Sequence, residues 1–316
     1  MRRIVWVLAV ALLYGFSVRV ATQQQPAGED MSWALPSSVE REIHDDPAQN
    51  RAPDSTRTYT DEQIGDLRNP PDWYPDQHPT PPEIVVKGQG DAMACGSCHL
   101  MSGLGHPESS DLTGLTVPYI VQQMLDFKSG ARQDPTGKRM NSIANALTDE
   151  QVQQAAEYFA SLPRRPFQEV IEADMVPATF LGNGRMRFAD PSGAFEPIAG
   201  RIITLPENQA RARLRDPYSG FVNYVPVGSV ARGKELVETG GGKTVSCGIC
   251  HGQDLKGQGS TPRLAGVHPV YTFRQLYWIK DGTRNGTDAP LMKSIADALD
   301  DDDMVAISAY LASLAP

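Results

Sequence analysis

Apolar side chains at Ile120, Met124 and Phe127 recur at intervals of four and three, the pattern of one buried helix face. They predict a helix over residues 119–130 that ends near Gly130. Val152, Ala155, Ala156, Phe159 and Leu162 form a second such stripe over 149–162, opened by Thr148 with Gln151 as a capping box. The stripe returns near the end of the chain as Met304, Ile307, Leu311 and Leu314, with Ser308 standing where the earlier copy has Ala156. Asp300 is its predicted cap. Asp301 to Asp303 fill the first turn, where the helix dipole favours negative charge. Shorter helices are predicted upstream, one from the start signal Thr80-Pro-Pro-Glu83 with its prolines in the first turn, and one over 230–239 capped by Ser229. Neither helical region alternates as a strand would.

The segment between them reads differently. In Thr179 to Phe188 (TFLGNGRMRF), Gly-Asn-Gly separates two short runs, which predicts a hairpin, and Arg201 to Leu205 (RIITL) predicts a further strand. Residues 164–228 are therefore expected to be a small β-containing connector that fixes the flanking helical modules relative to one another. Residues 22–79 are rich in Pro, Asp, Gln and Arg and predict an extended arm, with Trp73 and Tyr74 placed to pack on the first module.

The two helical regions are copies. An offset of 152 residues lays the second half on the first without a gap. Leu112 and Gly114 meet Leu264 and Gly266, Tyr119 and Gln123 meet Tyr271 and Gln275, and Lys128, Gly130 and Arg132 meet Lys280, Gly282 and Arg284. Ile143, Ala144 and Tyr158 meet Ile295, Ala296 and Tyr310. The expected organisation is a leader at 1–21, the arm at 22–79, a first module at 80–163, the connector at 164–228 and a second module at 229–316.

The leader is read from Arg2 and Arg3 followed by the apolar run Ile4 to Phe16, with small residues between Ser17 and Ala21. That is the layout of a secretory signal peptide, because a spanning helix needs roughly 20 apolar residues and Arg19 ends this run early. Export to the bacterial periplasm is expected, with retention as an N-terminal anchor the alternative. Cleavage would remove three of the 29 basic residues and none of the 38 acidic ones, so the exported chain is more acidic than the full chain's net charge of −9. An acidic surface argues against nucleic acid, whose phosphates demand a basic one.

All four cysteines fall in two pentapeptides, Cys95-Gly-Ser-Cys98-His99 and Cys247-Gly-Ile-Cys250-His251. An exported chain with an even cysteine count would ordinarily be read as holding disulfides, but a structural bridge has no use for the histidine that follows each pair. Cys-x-x-Cys-His is the covalent haem attachment signature, in which both thiols add to vinyl groups and the histidine binds iron. A low-spin haem needs a ligand on the opposite face, and a thioether is the usual one. Met140 follows His99 by 41 positions, and Met292 follows His251 by the same 41. A thioredoxin-like pair would sit in a βαβ context that is absent here. A zinc site would need four converging ligands, and so would have to join motifs about 150 residues apart. The candidate site is therefore Cys95, Cys98, Cys247 and Cys250 for two covalent haems c, with His99, Met140, His251 and Met292 on iron. Met124 is read as core and Met101 as too close to its own motif. Met93 and Met186 lack equivalents in the other half. His44, His78, His106 and His268 are read as surface residues.

The series Cys-x-x-Cys-His, Leu-x-Gly, Tyr-x-x-x-Gln, Gly-x-Arg and Met, present from Cys95 to Met140 and again from Cys247 to Met292, resembles the dihaem class I c-type cytochromes of bacterial periplasms. The resemblance covers about 70 residues in each module. It implies a mostly α fold, two tandem class I cytochrome c domains joined by the small β-containing connector. In that family a proline two residues before the Leu-x-Gly leucine bonds the axial histidine through its carbonyl. Pro262 fits this role, whereas Ser110 stands in the first module, implying a looser His99 and a different potential.

With both axial positions filled, neither iron has an open site for substrate. The expected function is electron transfer between redox partners, such as a periplasmic dehydrogenase, a membrane quinol-oxidising complex or a terminal oxidase, with no catalytic residue and no small-molecule substrate. The rival reading is a dihaem enzyme of the peroxidase or thiosulfate-oxidising type, which would require Met140 or Met292 to leave iron in the working state.

Overall fold

The computed structural model describes residues 31–36, 38–40, 49–90 and 92–316; the predicted leader and His44 lie outside them. Two helical modules flank a β-containing connector, with the arm laid across all three.

In the arm, helix α1 (Asp61–Gly65) starts at Thr60 with a capping box. The first module holds α2 (Glu83–Val86), α3 (Gly96–His99), α4 (Val117–Ser129), α5 (Arg139–Ala146) and α6 (Asp149–Ser161). Gly130 ends α4 in the left-handed conformation, and the Thr148–Gln151 capping box opens α6, both as the sequence predicts. Helix α2 is a single turn, and Pro82 is its N-cap, so the prolines precede the helix instead of filling its first turn. Ile120, Phe127, Val152, Ala156 and Phe159 close one core.

The connector carries β1 (Gln168–Glu172), β2 (Met175–Pro177), β3 (Thr179–Leu181), β4 (Arg187–Ala189), β5 (Phe195–Pro197), β6 (Ile203–Pro206), α7 (Gln209–Arg213) and β7 (Phe221–Val225). Strands β3 and β4 are the hairpin expected over 179–188, and β6 the strand expected near 201–205. The sequence did not signal the sheet order β1-β7-β6, in which β1 pairs β7 in parallel, Gln168 opposite Phe221, while β6 pairs β7 antiparallel. A parallel pair needs a long crossover, and no local pattern links strands some 50 residues apart.

The second module repeats the first with α8 (Ser229–Thr239), α9 (Gly248–His251), α10 (Pro269–Asp281), α11 (Ala289–Asp297) and α12 (Asp301–Ser313). Ser229 is the first helical residue and makes no capping bond; Gly228 is the N-cap, in the left-handed region. The Asp300–Asp303 capping box opens α12. Leu236, Phe273, Met304 and Leu311 form its core, which Trp33 of the arm and Ile202 and Val225 of the connector join. Trp33 lies 4.7 Å from Phe273, ring centre to ring centre.

Trp73 and Tyr74 are buried as expected, but with Ala52, Tyr59 and Ile64 of the arm and Leu214 of the connector. The Trp73 indole N–H donates to the Leu214 carbonyl at 2.7 Å. They thus pack chiefly within the arm and against the connector, not into the core of the first module. A buried indole must place its N–H, and an unpaired carbonyl beyond α7 offers the acceptor.

Candidate functional site

Each Cys-x-x-Cys-His motif forms one turn of helix, so its two thiols and its imidazole project from adjacent positions. His99 Nδ1 donates to the Ser110 carbonyl at 2.8 Å, and His251 Nδ1 to the Pro262 carbonyl at 2.8 Å. A carbonyl can only accept, so Nδ1 carries the proton in both rings and Nε2 keeps its lone pair for a metal. Burial pushes both imidazoles below the ordinary histidine value, with the carbonyl bond opposing it, which favours the neutral, ligating form. The equal distances correct the expectation of a looser His99. The bond is made by the backbone, which serine supplies as well as proline does.

Burial pushes the Cys95 thiol up to about 12 and the Cys247 thiol up to about 11. Redox dithiols and zinc thiolates require the opposite shift. Neutral thiols at Cys95 and Cys247, each beside a histidine with Nε2 free, fit thioether attachment.

Met140 lies in the first turn of α5 and Met292 in that of α11. The loop before Met140 is held by Asp134, whose carboxylate accepts from the Arg139 N–H at 3.1 Å, and by Asn141, whose amide donates to the Phe127 carbonyl at 2.8 Å. In the second copy Lys293 stands at the Asn141 position and reaches the Lys280 carbonyl at 3.1 Å. Different side chains thus tie each methionine segment to the last turn of the preceding long helix.

Cys95, Cys98, His99 and Met140 line one cavity of about 620 Å³, walled by apolar residues such as Leu115, Ile120, Phe127 and Phe159. Its size, its apolar walls and the converging sulfur and nitrogen donors fit a haem. Met124 lines this cavity as well as touching the core. Met101 is buried in the core, and its carbonyl accepts from the Tyr158 hydroxyl at 2.6 Å.

The same cavity has walls that sequence reasoning missed. Arg185, Met186 and Phe188 of the β3–β4 hairpin, Leu214 and Arg215 after α7, and Ile64 of the arm all face it. None lies in the repeat, which is why no pattern marked them. A second missed group sits between the modules. Arg132 donates to Gln123 at 2.7 Å, to Gln275 at 2.9 Å and to the Tyr271 hydroxyl at 3.1 Å. Arg284 mirrors it, reaching Tyr119 and Gln123 at 3.0 Å and Gln275 at 3.1 Å. The two arginines also pair through their backbones as an antiparallel bridge. Their signal was available in the sequence: all six residues are matched across the repeat, and polar groups on a helix face need a partner.

Three histidines read as surface residues are not. His268 is buried between Phe167 and Phe221, with no hydrogen-bond partner for either ring nitrogen, and burial pushes it down to about 3. His106 lines the first cavity, its Nε2 hydrogen-bonded to Ser109 Oγ at 3.2 Å, and burial pushes it too down to about 3. His78 pairs with Asp72 at 3.1 Å, and that bond raises it. Loop-like neighbours suggested exposure, but connector residues cover His106 and His268, and the arm's own Asp72 holds His78.

Two five-helix modules, each presenting attachment thiols, a histidine with its Nε2 free and a methionine, define a dihaem protein of the c type. The chain belongs to the cytochrome c family, whose profile matches residues 85–163 and 230–315. It is 28% identical over 226 residues to the thiosulfate dehydrogenase electron acceptor of Stutzerimonas stutzeri (strain A1501), covering 71% of this chain and 80% of that protein. Similarity to cytochrome c4 of Pseudomonas aeruginosa is 26% over 234 residues, covering 73% and 88%. Among solved structures, cytochrome c4 of Acidithiobacillus ferrooxidans matches at 25% identity and a TM-score of 0.46, over 70% of this chain and 98% of that one. The protein is a dihaem electron-transfer cytochrome that carries two covalent haems c and works with redox partners.

Proposed function

We propose that the chain is a periplasmic carrier, not an enzyme, in which His99 with Met140 and His251 with Met292 hold the two irons. The modules would occupy 80–163 and 229–316. The observation that carries this reading is the pair of 2.8 Å bonds from His Nδ1 to a carbonyl, which leave two Nε2 atoms poised as ligands. When bound, haem supplies reversible one-electron chemistry, and a thioether opposite imidazole favours the reduced iron. What the chain contributes is imidazoles held by backbone carbonyls and apolar walls around the cavity; Met140 and Met292 would hold the irons opposite the histidines and deny access to substrate.

The partner is a one-electron donor or acceptor protein, such as a periplasmic dehydrogenase, a quinol-oxidising complex or a terminal oxidase. Two named relatives are electron acceptors of thiosulfate dehydrogenase, which supports an enzyme as the electron source. Among the described residues no helix is long and apolar enough to cross a membrane.

The ferric spectrum of the holoprotein tests the assignment. Low-spin haem with a methionine-to-iron charge-transfer band for both modules is expected. A high-spin fraction that binds cyanide rapidly would overturn the two-methionine assignment and favour the enzyme reading instead.

A further inference from the structure

We infer that the arm and connector make the first haem an internal centre, so that electrons enter and leave the protein at the haem edge of the second module. This rests on the haem assignment above and deepens it. The duplication provides an internal control, because the same motif is presented twice and the arm and connector bond to only the first copy.

Ser97 and Ile249 occupy the same position in their motifs, yet Ser97 is 3% exposed and Ile249 60%. Cys98 is half-buried, while Cys250 is exposed. The cover over the first motif comes from outside the module. The Arg215 guanidinium donates to the Ser97 carbonyl at 2.9 Å, and the Ala94 N–H just before the motif donates to Leu67 of the arm at 3.0 Å. On the methionine side, Arg185 of the hairpin donates to the Thr136 carbonyl in the loop leading to Met140. Both rims of the first crevice are therefore held by residues that have no counterpart over the second. There, Val245 before the motif is 53% exposed, whereas its equivalent Met93 is half-buried.

Electron tunnelling weakens exponentially with the protein layer crossed, so a covered edge exchanges slowly with a partner in solution and an open one quickly. The first haem is left one efficient neighbour, the second haem, across the interface tied by Arg132 and Arg284. Each transfer oxidises one iron from ferrous to ferric and reduces the other from ferric to ferrous. An external one-electron redox protein then completes the exchange at the second module.

Proton NMR of the oxidised holoprotein tests this through the haem methyl resonances, titrated with a neutral gadolinium chelate. Met140→Ala and Met292→Ala assign the signals to their modules. The second haem's methyls should broaden several-fold more than the first's. Combining Arg185→Ala with Arg215→Ala should narrow that difference. Equal broadening in the unsubstituted protein, or stronger broadening of the first haem, overturns the inference whether or not the double variant folds. Failure of the haem assignment itself is separate, since it would appear as a mass lacking two covalent haems.

Discussion

Gly233 sits where α8 crosses α12, and replacing it with alanine tests whether that crossing holds the second module closed. A Cβ built on Gly233 overlaps the Ala306 carbonyl oxygen, and lies 2.6 Å from that carbonyl carbon and 2.8 Å from Tyr310 Cβ. Backbone cannot swing aside as a flexible side chain can, so the helices must separate. They are also pinned: Arg232 pairs with Asp303 at 2.6 Å, and the Tyr310 hydroxyl donates to Glu238 at 2.9 Å. Overpacking costs about 1–3 kcal/mol, and a contact to backbone belongs at the upper end. Alanine returns at most about 1 kcal/mol of helix propensity. The net loss is about 2 kcal/mol, which lowers the midpoint by about 8–16 °C for a module of this size unfolding on its own. The position equivalent to Gly233 in the first module is Pro81, ahead of the single-turn α2, so the first module should be spared. Thermal unfolding followed in the methionine–iron charge-transfer band, haem by haem, separates the two modules. A midpoint within about 2 °C of the parent's would mean that the crossing gives way freely, against the close-packed reading.

Because both histidine bonds are made to backbone carbonyls of equal reach, Pro262→Ala and Ser110→Pro should each shift their haem's potential by less than about 59 mV, the one-electron equivalent of a tenfold change; redox titration of the separate haems measures it. Met140→Ala or Met292→Ala should open one iron, lower that haem's potential and leave covalent attachment intact, as read by the ferric spectrum and intact mass. His268→Phe should cost little, because it removes two ring nitrogens that have no partner, each buried unpaired group costing about 1–3 kcal/mol. A histidine pushed down to about 3 stabilises fully above the ordinary 6.5, and the stability is lost as pH falls from there toward 3. The variant's denaturation midpoint should therefore fall less steeply with acid across that window; an unchanged slope would show that His268 takes no part in it.

The duplicated chemistry is written in the chain itself. Cysteine, histidine and methionine at fixed spacing, in register with two helical stripes, identify two haem modules because short-range periodicity and capping are local properties. The helices over 117–129 and 149–161 and their caps follow from the same logic. Ser110 shows where residue type misleads: a missing proline implied a weaker bond, but the bond belongs to the backbone. The histidines at 106 and 268 show it again, since their polar loops are covered by segments remote in sequence. The parallel pairing of β1 with β7, the closure of the first crevice by Arg185 and Arg215, and the pairing of Arg132 and Arg284 with the other module were decided only in three dimensions. They join residues about 50 to 150 positions apart, and no local pattern encodes which distant surface will supply a group's partner.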